Sequence, residues 1–242
     1  MSYSKIHWLK QPQTTYPIPL NTDQHIQLYS ADLSKDFCDS LDYIELLSEN
    51  ELIRMKRLRF KKDKLNFIKS RGFLRLILGQ HLQLDPKCIL FSYEENGKPV
   101  LAEINYGNLH FNLSHSRNKI LLAISDCNNI GVDIEYVNPA IDSLSIANKF
   151  FSEVEARTLE STHGNERLNK FFQFWTRKEA LVKGLGDGLG FPFQEIDVSK
   201  LKGTDWDTLT NLTSIGRLKQ WYSIDVPFGK SYKASLAVDC SD

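Results

Sequence analysis

The chain has 242 residues, 41% of them hydrophobic and 25% charged, enough to bury a core without metal or disulfide staples and consistent with one large domain or two small ones. Thirty Lys and Arg balance thirty Asp and Glu, which argues against a uniformly basic nucleic-acid binder and against an acidic disordered chain. Cys38, Cys88, Cys127 and Cys240 form no CxxC pair, which disfavours zinc ribbons and thioredoxin-like sites and leaves reduced thiols as the expectation.

Residues 1–25 carry Lys5, Lys10, Pro12, Pro17, Pro19 and Asp23 in place of an apolar signal segment. With no apolar run near the ~18 residues of a membrane helix, a soluble cytoplasmic protein is expected. Residues 26–33 alternate like a strand, and 41–60 and 63–82 read as helices, the second stopped by Asp85-Pro86. Strands at 88–93 and 99–104 flank Asn96-Gly97, a hairpin signal. Further strands are expected at 109–113, 119–125 and 130–137, with a polar turn at 126–129. Ser152 and Glu155 fit a capping box. A long helix follows over 166–183, with Leu168, Phe171, Phe172, Trp175 and Val182 on one face and Gly184 as its stop. Strands at 194–198, 220–226 and 232–238 complete the chain.

The order of strand, helices and strands recurs. At an offset of 107, Phe67, Leu74, Leu78 and Gly79 match Phe174, Leu181, Leu185 and Gly186, and Ile89 matches Ile196; at 104, Ile26 meets Ile130. Two similar α+β halves meeting near 126–129 are expected.

The balanced charge hides an asymmetry. Residues 54–75 hold Arg54, Lys56, Arg57, Arg59, Lys61, Lys62, Lys64, Lys69, Arg71 and Arg75 against Asp63 alone, a local +9. A solvated helix face and a polyphosphate or nucleic-acid footprint are both compatible with it.

In Gly131-Val-Asp133-Ile-Glu135 the two carboxylates share one strand face, while Val132 and Ile134 face the core. Paired carboxylates repel unless a cation intervenes, and oxygen ligands of this kind suit Mg²⁺, although an exposed acidic strand looks the same. Glu179 and Lys183 are i, i+4 on the long helix, which reads either as a surface pair or, with Glu179 at the edge of a buried stripe, as a third metal carboxylate. His115, between Ser114 and Ser116 at a strand end, is a candidate phosphate contact. Gly184, Gly186, Gly188 and Gly190 follow a helix, which excludes a Rossmann fingerprint; no P-loop is present either.

Together these segments resemble the Sfp-type 4′-phosphopantetheinyl transferases. The resemblance rests on Phe60-x-x-Asp63, Arg71-Gly-x-Leu-Arg75, Gly97-Lys98-Pro99, Phe111-Asn-Leu-Ser-His-Ser116, Gly131-Val-Asp-Ile-Glu135, Phe150-Phe-Ser152 and Trp175-x-x-Lys178-Glu179-Ala with Lys183. It covers about residues 50–190. It implies an α+β fold of two similar α/β halves with pseudo-twofold symmetry and the active site in the cleft between them. Their bounds would be 26–127 and 128–242, after an extension over 1–25. It also implies Mg²⁺-dependent transfer of the phosphopantetheine of coenzyme A to a serine of an apo acyl or peptidyl carrier protein, with release of adenosine 3′,5′-bisphosphate.

By position, Asp133, Glu135 and Glu179 resemble the family's metal ligands. Arg54, Lys98, Ser114, His115, Lys178 and Lys183 fall where the family contacts coenzyme A, and Arg71 is expected to join them from the basic segment. Glu179 is the candidate base, with a water held by Asp133 as the alternative; Lys183 and His115 would stabilise charge on phosphate oxygens. A monomer with no nucleic-acid or membrane partner is expected. The rival readings are an Mg²⁺-dependent phosphodiesterase or nuclease, which would attack with water, and a non-catalytic nucleic-acid binder.

Overall fold

The structure, a computed structural model, describes residues 14–18, 21–34, 43–94, 97–102, 106–107, 109–126, 129–186, 188–209 and 220–240. A first sheet runs in the order β1-β2-β6-β5, from Thr14–Ile18, Asn21–Asp32, Lys119–Ser125 and His110–Ser116. A second runs β7-β10-β9-β8, from Ile130–Tyr136, Tyr232–Cys240, Gln220–Asp225 and Asp207–Leu209. β3 (Phe91–Tyr93) and β4 (Pro99–Leu101) form a separate antiparallel hairpin. The helices are α1 (Glu49–Arg57), α2 (Lys61–Leu82), α3 (Ser143–Phe150), α4 (Glu153–Glu160) and α5 (Gly164–Leu185).

Strand alternation divides the core. Ile120, Leu122 and Ile124 of β6 pack with Phe73, Leu74, Ile77 and Leu78 of α2. The intervening Leu121 and Ala123 join Ile26 and Leu28 in a cluster with Ile130, Val132, Ile134, Leu236 and Val238 of the second sheet. Ala237 and Trp221 of the second sheet face α5 through Phe171, Phe174, Ala180 and Leu181. Each sheet thus rests one face on its own long helix and the other on an apolar cluster shared by both sheets.

The sheets also meet edge to edge. β5 and β7 belong to different sheets, yet Asn112 Oδ1, Ser114 Oγ and Ser116 Oγ accept the backbone N–H of Val132, Ile134 and Tyr136 at 2.9, 3.3 and 3.0 Å. Polar side chains at i, i+2 and i+4 of one strand take the place of a backbone ladder on the other and satisfy an edge that would otherwise stand open.

Several elements depart from the sequence expectations. β1 and the start of β2 lie within residues 1–25, which were expected to be an extension outside both halves; β1 is an edge strand, and an edge tolerates Pro17. The helix expected over 41–60 is trimmed to α1, because Ser48 and Glu51 form a capping box that starts it at Glu49. Residues 86–88 and 193–195 form 3-10 turns where strands at 88–93 and 194–198 were expected to begin. Gly184 does not stop α5. It lies inside the helix, and a Cβ there would stand 2.5 Å from the Trp221 ring; Gly186, at φ 78°, is the left-handed cap. Gly97, at φ 83°, turns the β3–β4 hairpin as expected. Asn96, Cys38 and Cys127 fall outside the described residues, and Cys88 is free and exposed.

The order of strand, helices and strands recurs only coarsely, since among the described residues three helices follow β7 and two follow β2, and its register differs. α2 and α5 each have 22 residues and begin 103 apart, whereas the 3-10 turns that follow, Pro86–Cys88 and Phe193–Glu195, stand 107 apart. The difference of four residues is close to one helical turn, so the apolar matches at 107 fall on the same helix face as the structural register.

Candidate active site

β7 carries Asp133 and Glu135 on its α5-facing side, alternating with the core residues Val132 and Ile134. Ser114 Oγ donates to Asp133 Oδ1 at 2.8 Å and Ser116 Oγ to Glu135 Oε2 at 2.7 Å, so the same serines that join the sheets also orient the carboxylates. Gly131 sets the approach of α5: any Cβ there would collide with the Ala180 carbonyl and the Gly184 backbone. That contact lets the next turns of α5 reach the carboxylates. Lys183 Nζ donates to Asp133 Oδ1 at 2.6 Å and to Ser114 Oγ at 2.9 Å. The lysine is therefore drawn to Asp133 rather than serving as a surface partner of Glu179.

Three carboxylates converge on this one ammonium. Burial first, then the Asp133 charge, pushes the Glu179 carboxyl up to about 7. The same two causes raise Glu135. Asp133 Oδ2 is buried with no hydrogen-bond partner. Among the described residues no three acidic, His or Cys side chains stand ready-formed around an ion. The donor set nevertheless fits a hard cation: a bare buried oxygen and two carboxyls driven toward protonation are each relieved by positive charge.

A pocket of about 810 Å³ adjoins this cluster, lined from α5 by Glu179, Val182 and Lys183 and from elements of the first sheet's half by Arg54, Ser70, Arg71, Lys98 and His115. Arg71 is 9% exposed. Its guanidinium lies 5.6 Å from the Phe67 ring and 5.8 Å from the Tyr93 ring, and its Nη1 has no hydrogen-bond partner. Ser70 Oγ is likewise buried without one. Two orphaned donors in a pocket wall are costly unless an acceptor arrives. His115 opens to the pocket; desolvation lowers its pKa, and Lys183 lowers it further. Lys98 Nζ donates to the Lys183 carbonyl at 2.7 Å, tying the hairpin to the end of α5. Arg54 is exposed at the rim, 5.7 Å from the Tyr93 ring.

Two expected coenzyme A contacts are placed otherwise. Lys178 is fully buried, paired with Glu155 at 2.6 Å and donating to the Phe193 and Ile196 carbonyls at 2.7 and 2.5 Å. Its ammonium is committed to the protein interior, away from the pocket lining. Ser114 is buried between β5, Asp133 and Lys183, where it orients the carboxylate and the ammonium. The basic segment also divides. Lys56, Arg57, Arg59, Lys61 and Lys62 are exposed, Lys69 bonds the Leu33 carbonyl, and Arg75 is buried; the ten cations do not form one face. Ser70 and Asn112, absent from the sequence expectations, act through burial and edge pairing. The only sequence hint was a polar residue at a core or strand position.

The chain matches family models on both sides of this site: "4′-phosphopantetheinyl transferase, N-terminal" over residues 35–127 and "4′-phosphopantetheinyl transferase superfamily" over 129–237. It is similar to the 4′-phosphopantetheinyl transferase HetI of Nostoc sp., 36% identical over 193 residues and 79% of each chain. It is also similar to the 4′-phosphopantetheinyl transferase ffp of Bacillus subtilis, 34% identical over 69% of this chain and 71% of the relative. Sfp of Bacillus subtilis is 31% identical over 64% of this chain and 67% of its own.

Proposed function

The chain belongs to the 4′-phosphopantetheinyl transferase superfamily, and from that premise we propose that the pocket beside Asp133, Glu135 and Glu179 is where it works. The protein transfers the phosphopantetheine of coenzyme A to carrier proteins. The observation that carries the site assignment is the pairing, in one pocket wall, of orphaned donors on Ser70 and Arg71 with Glu179 and Lys183. Coenzyme A brings the missing acceptors, a diphosphate and a 3′-phosphate. Arg71 is preorganised for a phosphate because two aromatic rings and its burial hold it. Lys98, His115 and Arg54 line the same space.

The two recurring sets of elements, 26–127 and 128–242, form halves related by pseudo-twofold symmetry, and the pocket is the cleft between them. Support comes from the shared strand order, β2-β6-β5 against β7-β10-β9, around two helices of equal length. Residues 1–25 add β1 to the edge of the first.

In the reaction the carrier serine oxygen bonds to the phosphorus bearing pantetheine. The bond from that phosphorus to the bridging diphosphate oxygen breaks, and the electron pair leaves with adenosine 3′,5′-bisphosphate. Glu179 takes the serine proton; without metal its carboxyl is pushed up to about 7, and a bound cation would bring it down, leaving it ionised and able to accept that proton near neutral pH. Lys183, held by Asp133 and Ser114, faces the developing charge as a fixed cation. Mg²⁺, held by Asp133, Glu135 and Glu179, would supply further neutralisation of the diphosphate oxygens.

The protein acts as a monomer in the cytoplasm without a nucleic-acid partner. The scatter of the 54–75 cations supports the last of these alone; no helix among the described residues is long and apolar enough to cross a membrane. The test is mass spectrometry of an apo carrier incubated with the protein, coenzyme A and Mg²⁺. The carrier gains one phosphopantetheine and adenosine 3′,5′-bisphosphate appears in equal amount. Cleavage of coenzyme A with an unmodified carrier would instead establish the phosphodiesterase reading.

A further inference from the structure

Two buried cations outside the pocket form a matched pair. Arg75 is 1% exposed and Lys178 is 0% exposed. Each stands fourteen residues after its helix begins, from 61 to 75 in α2 and from 164 to 178 in α5. Each is neutralised by the glutamate of a capping box on an earlier helix: Arg75 Nε reaches Glu51 Oε2 at 2.7 Å, and Lys178 Nζ reaches Glu155 Oε2 at 2.6 Å. Each then donates to two carbonyls three residues apart, those of the first residue and of the C-cap of a 3-10 turn beyond its helix. For Arg75 these are Pro86 O at 2.6 Å and Ile89 O at 3.1 Å; for Lys178 they are Phe193 O and Ile196 O. Glu155 also accepts the Val198 N–H at 2.8 Å. One ion pair therefore ties three segments in each half.

A buried ion pair is a poor source of stability, since apolar residues of similar volume often do as well. What it supplies is a fixed geometry, and both clamps border pocket groups. Arg71 lies one turn before Arg75 on the same face of α2, with its Nε 4.0 Å from the same Glu51. Glu179 directly follows Lys178, and Phe193, whose carbonyl Lys178 holds, lines the pocket. We propose that Arg75 and Lys178 are positioning residues: Arg75 sets the rotation of α2 that presents Arg71 to coenzyme A, and Lys178 sets the rotation of α5 that presents Glu179 and Lys183 to the reacting phosphate. The inference rests on the assignment of Arg71 to binding and Glu179 to chemistry.

The test uses variants that remove each clamp without leaving a lone charge, Glu51→Gln/Arg75→Met and Glu155→Gln/Lys178→Met, beside Arg71→Ala and Glu179→Gln. Thermal melting, metal-free coenzyme A affinity and carrier turnover at saturating coenzyme A and Mg²⁺ are measured for each. Both double variants are expected to melt within ~5 °C of the parent. The first should lose about tenfold or more in coenzyme A affinity with turnover kept within about threefold. The second should lose about tenfold or more in turnover with affinity kept within about threefold, because small misplacements of reacting groups are costly. Glu155→Asp, which keeps the charge but shortens its reach, should lower turnover in the same selective way, and it carries the test for the second clamp if that double variant does not fold. Arg75→Lys should keep the affinity, since Lys178 shows that an ammonium can serve the same set of acceptors, and it carries the test for the first clamp; a tenfold loss there would count against the proposal. Turnover and affinity both near the parent's in the double variants, or equal losses in both readouts, would overturn it. If Arg71→Ala and Glu179→Gln themselves show no split, the site assignment fails instead, and the inference with it.

Discussion

α2 and α5 have the same length, a buried cation at the same position, Arg75 or Lys178, and a 3-10 turn beyond them that accepts from it, yet they bring opposite chemistry to the pocket. α2 presents donors, Ser70 and the guanidinium of Arg71, with orphaned hydrogen-bonding atoms. α5 presents a carboxylate, Glu179, and an ammonium already engaged with Asp133. The common features tie each long helix to an earlier helix and to a later turn; the differing ones face the pocket. On the proposed site assignment, binding and chemistry would be divided between two helices of similar setting by side-chain choice alone.

The largest effects should come from breaking what the helices share. Lys178→Met and Arg75→Met each leave a buried glutamate without its cation and should cost ~3–5 kcal/mol, read by urea unfolding. Losses that differ by more than ~2 kcal/mol would show that the two clamps are not equivalent. What the helices do not share is probed by Glu179→Gln, which should lower the transfer rate ~10²–10⁴-fold as a lost general base while leaving the melt unchanged or higher. The sign follows from its titration. The folded carboxyl keeps its proton up to about 7, against 4.5 ordinarily, so its contribution to stability falls as pH rises through that window. Carbon-13 NMR of Glu179 in metal-free protein should show a midpoint near 7 that drops in Asp133→Asn; an ordinary glutamate midpoint would break the picture of crowded carboxylates.

A smaller contrast concerns helix seating. Gly131→Ala drives a methyl into the backbone of α5 at Ala180, whereas Gly72→Ala first meets the Tyr43 side chain, its Cβ as well as its ring. Both should destabilise by ~1–3 kcal/mol, Gly131→Ala more, because it must move the backbone of a packed helix rather than a single side chain. Only Gly131→Ala should also lower turnover, by displacing Lys183 from Asp133. The smallest effect is expected at Asp32, far from either helix's chemistry. Ser34 and then Lys119 hold its carboxyl down at about 2, so this stability is lost as pH falls from 3.8 toward 2. Asp32→Asn should cost only ~0.5 kcal/mol at neutral pH, because the pair is partly solvated.

Much of this was legible in the residues. Alternation placed Val132 and Ile134 in the core with Asp133 and Glu135 on the opposite face, and the 3.6-residue stripe located α5. The departures have physical causes. A lysine in Trp-x-x-Lys-Glu looks like a phosphate ligand until a glutamate from a distant capping box is seen to enclose it. Ser114 read as a coenzyme A contact because a side chain that mimics a strand edge has no local signature. The repeat was displaced by four residues because one helical turn restores the same apolar face. Gly184 and Gly186 could not be ranked as a helix stop without knowing that Trp221 occupies the space beside Gly184.

The division of labour between the helices is tested most directly by calorimetric titration of coenzyme A into metal-free Arg71→Ala and Glu179→Gln, with no carrier present. Arg71→Ala should bind ~10–100-fold more weakly, the cost of one charge-assisted contact of ~1.5–3 kcal/mol. Glu179→Gln should bind as tightly as the parent or tighter, since it removes a negative charge beside the phosphates. Parental affinity in Arg71→Ala, or a comparable loss in Glu179→Gln, would contradict it.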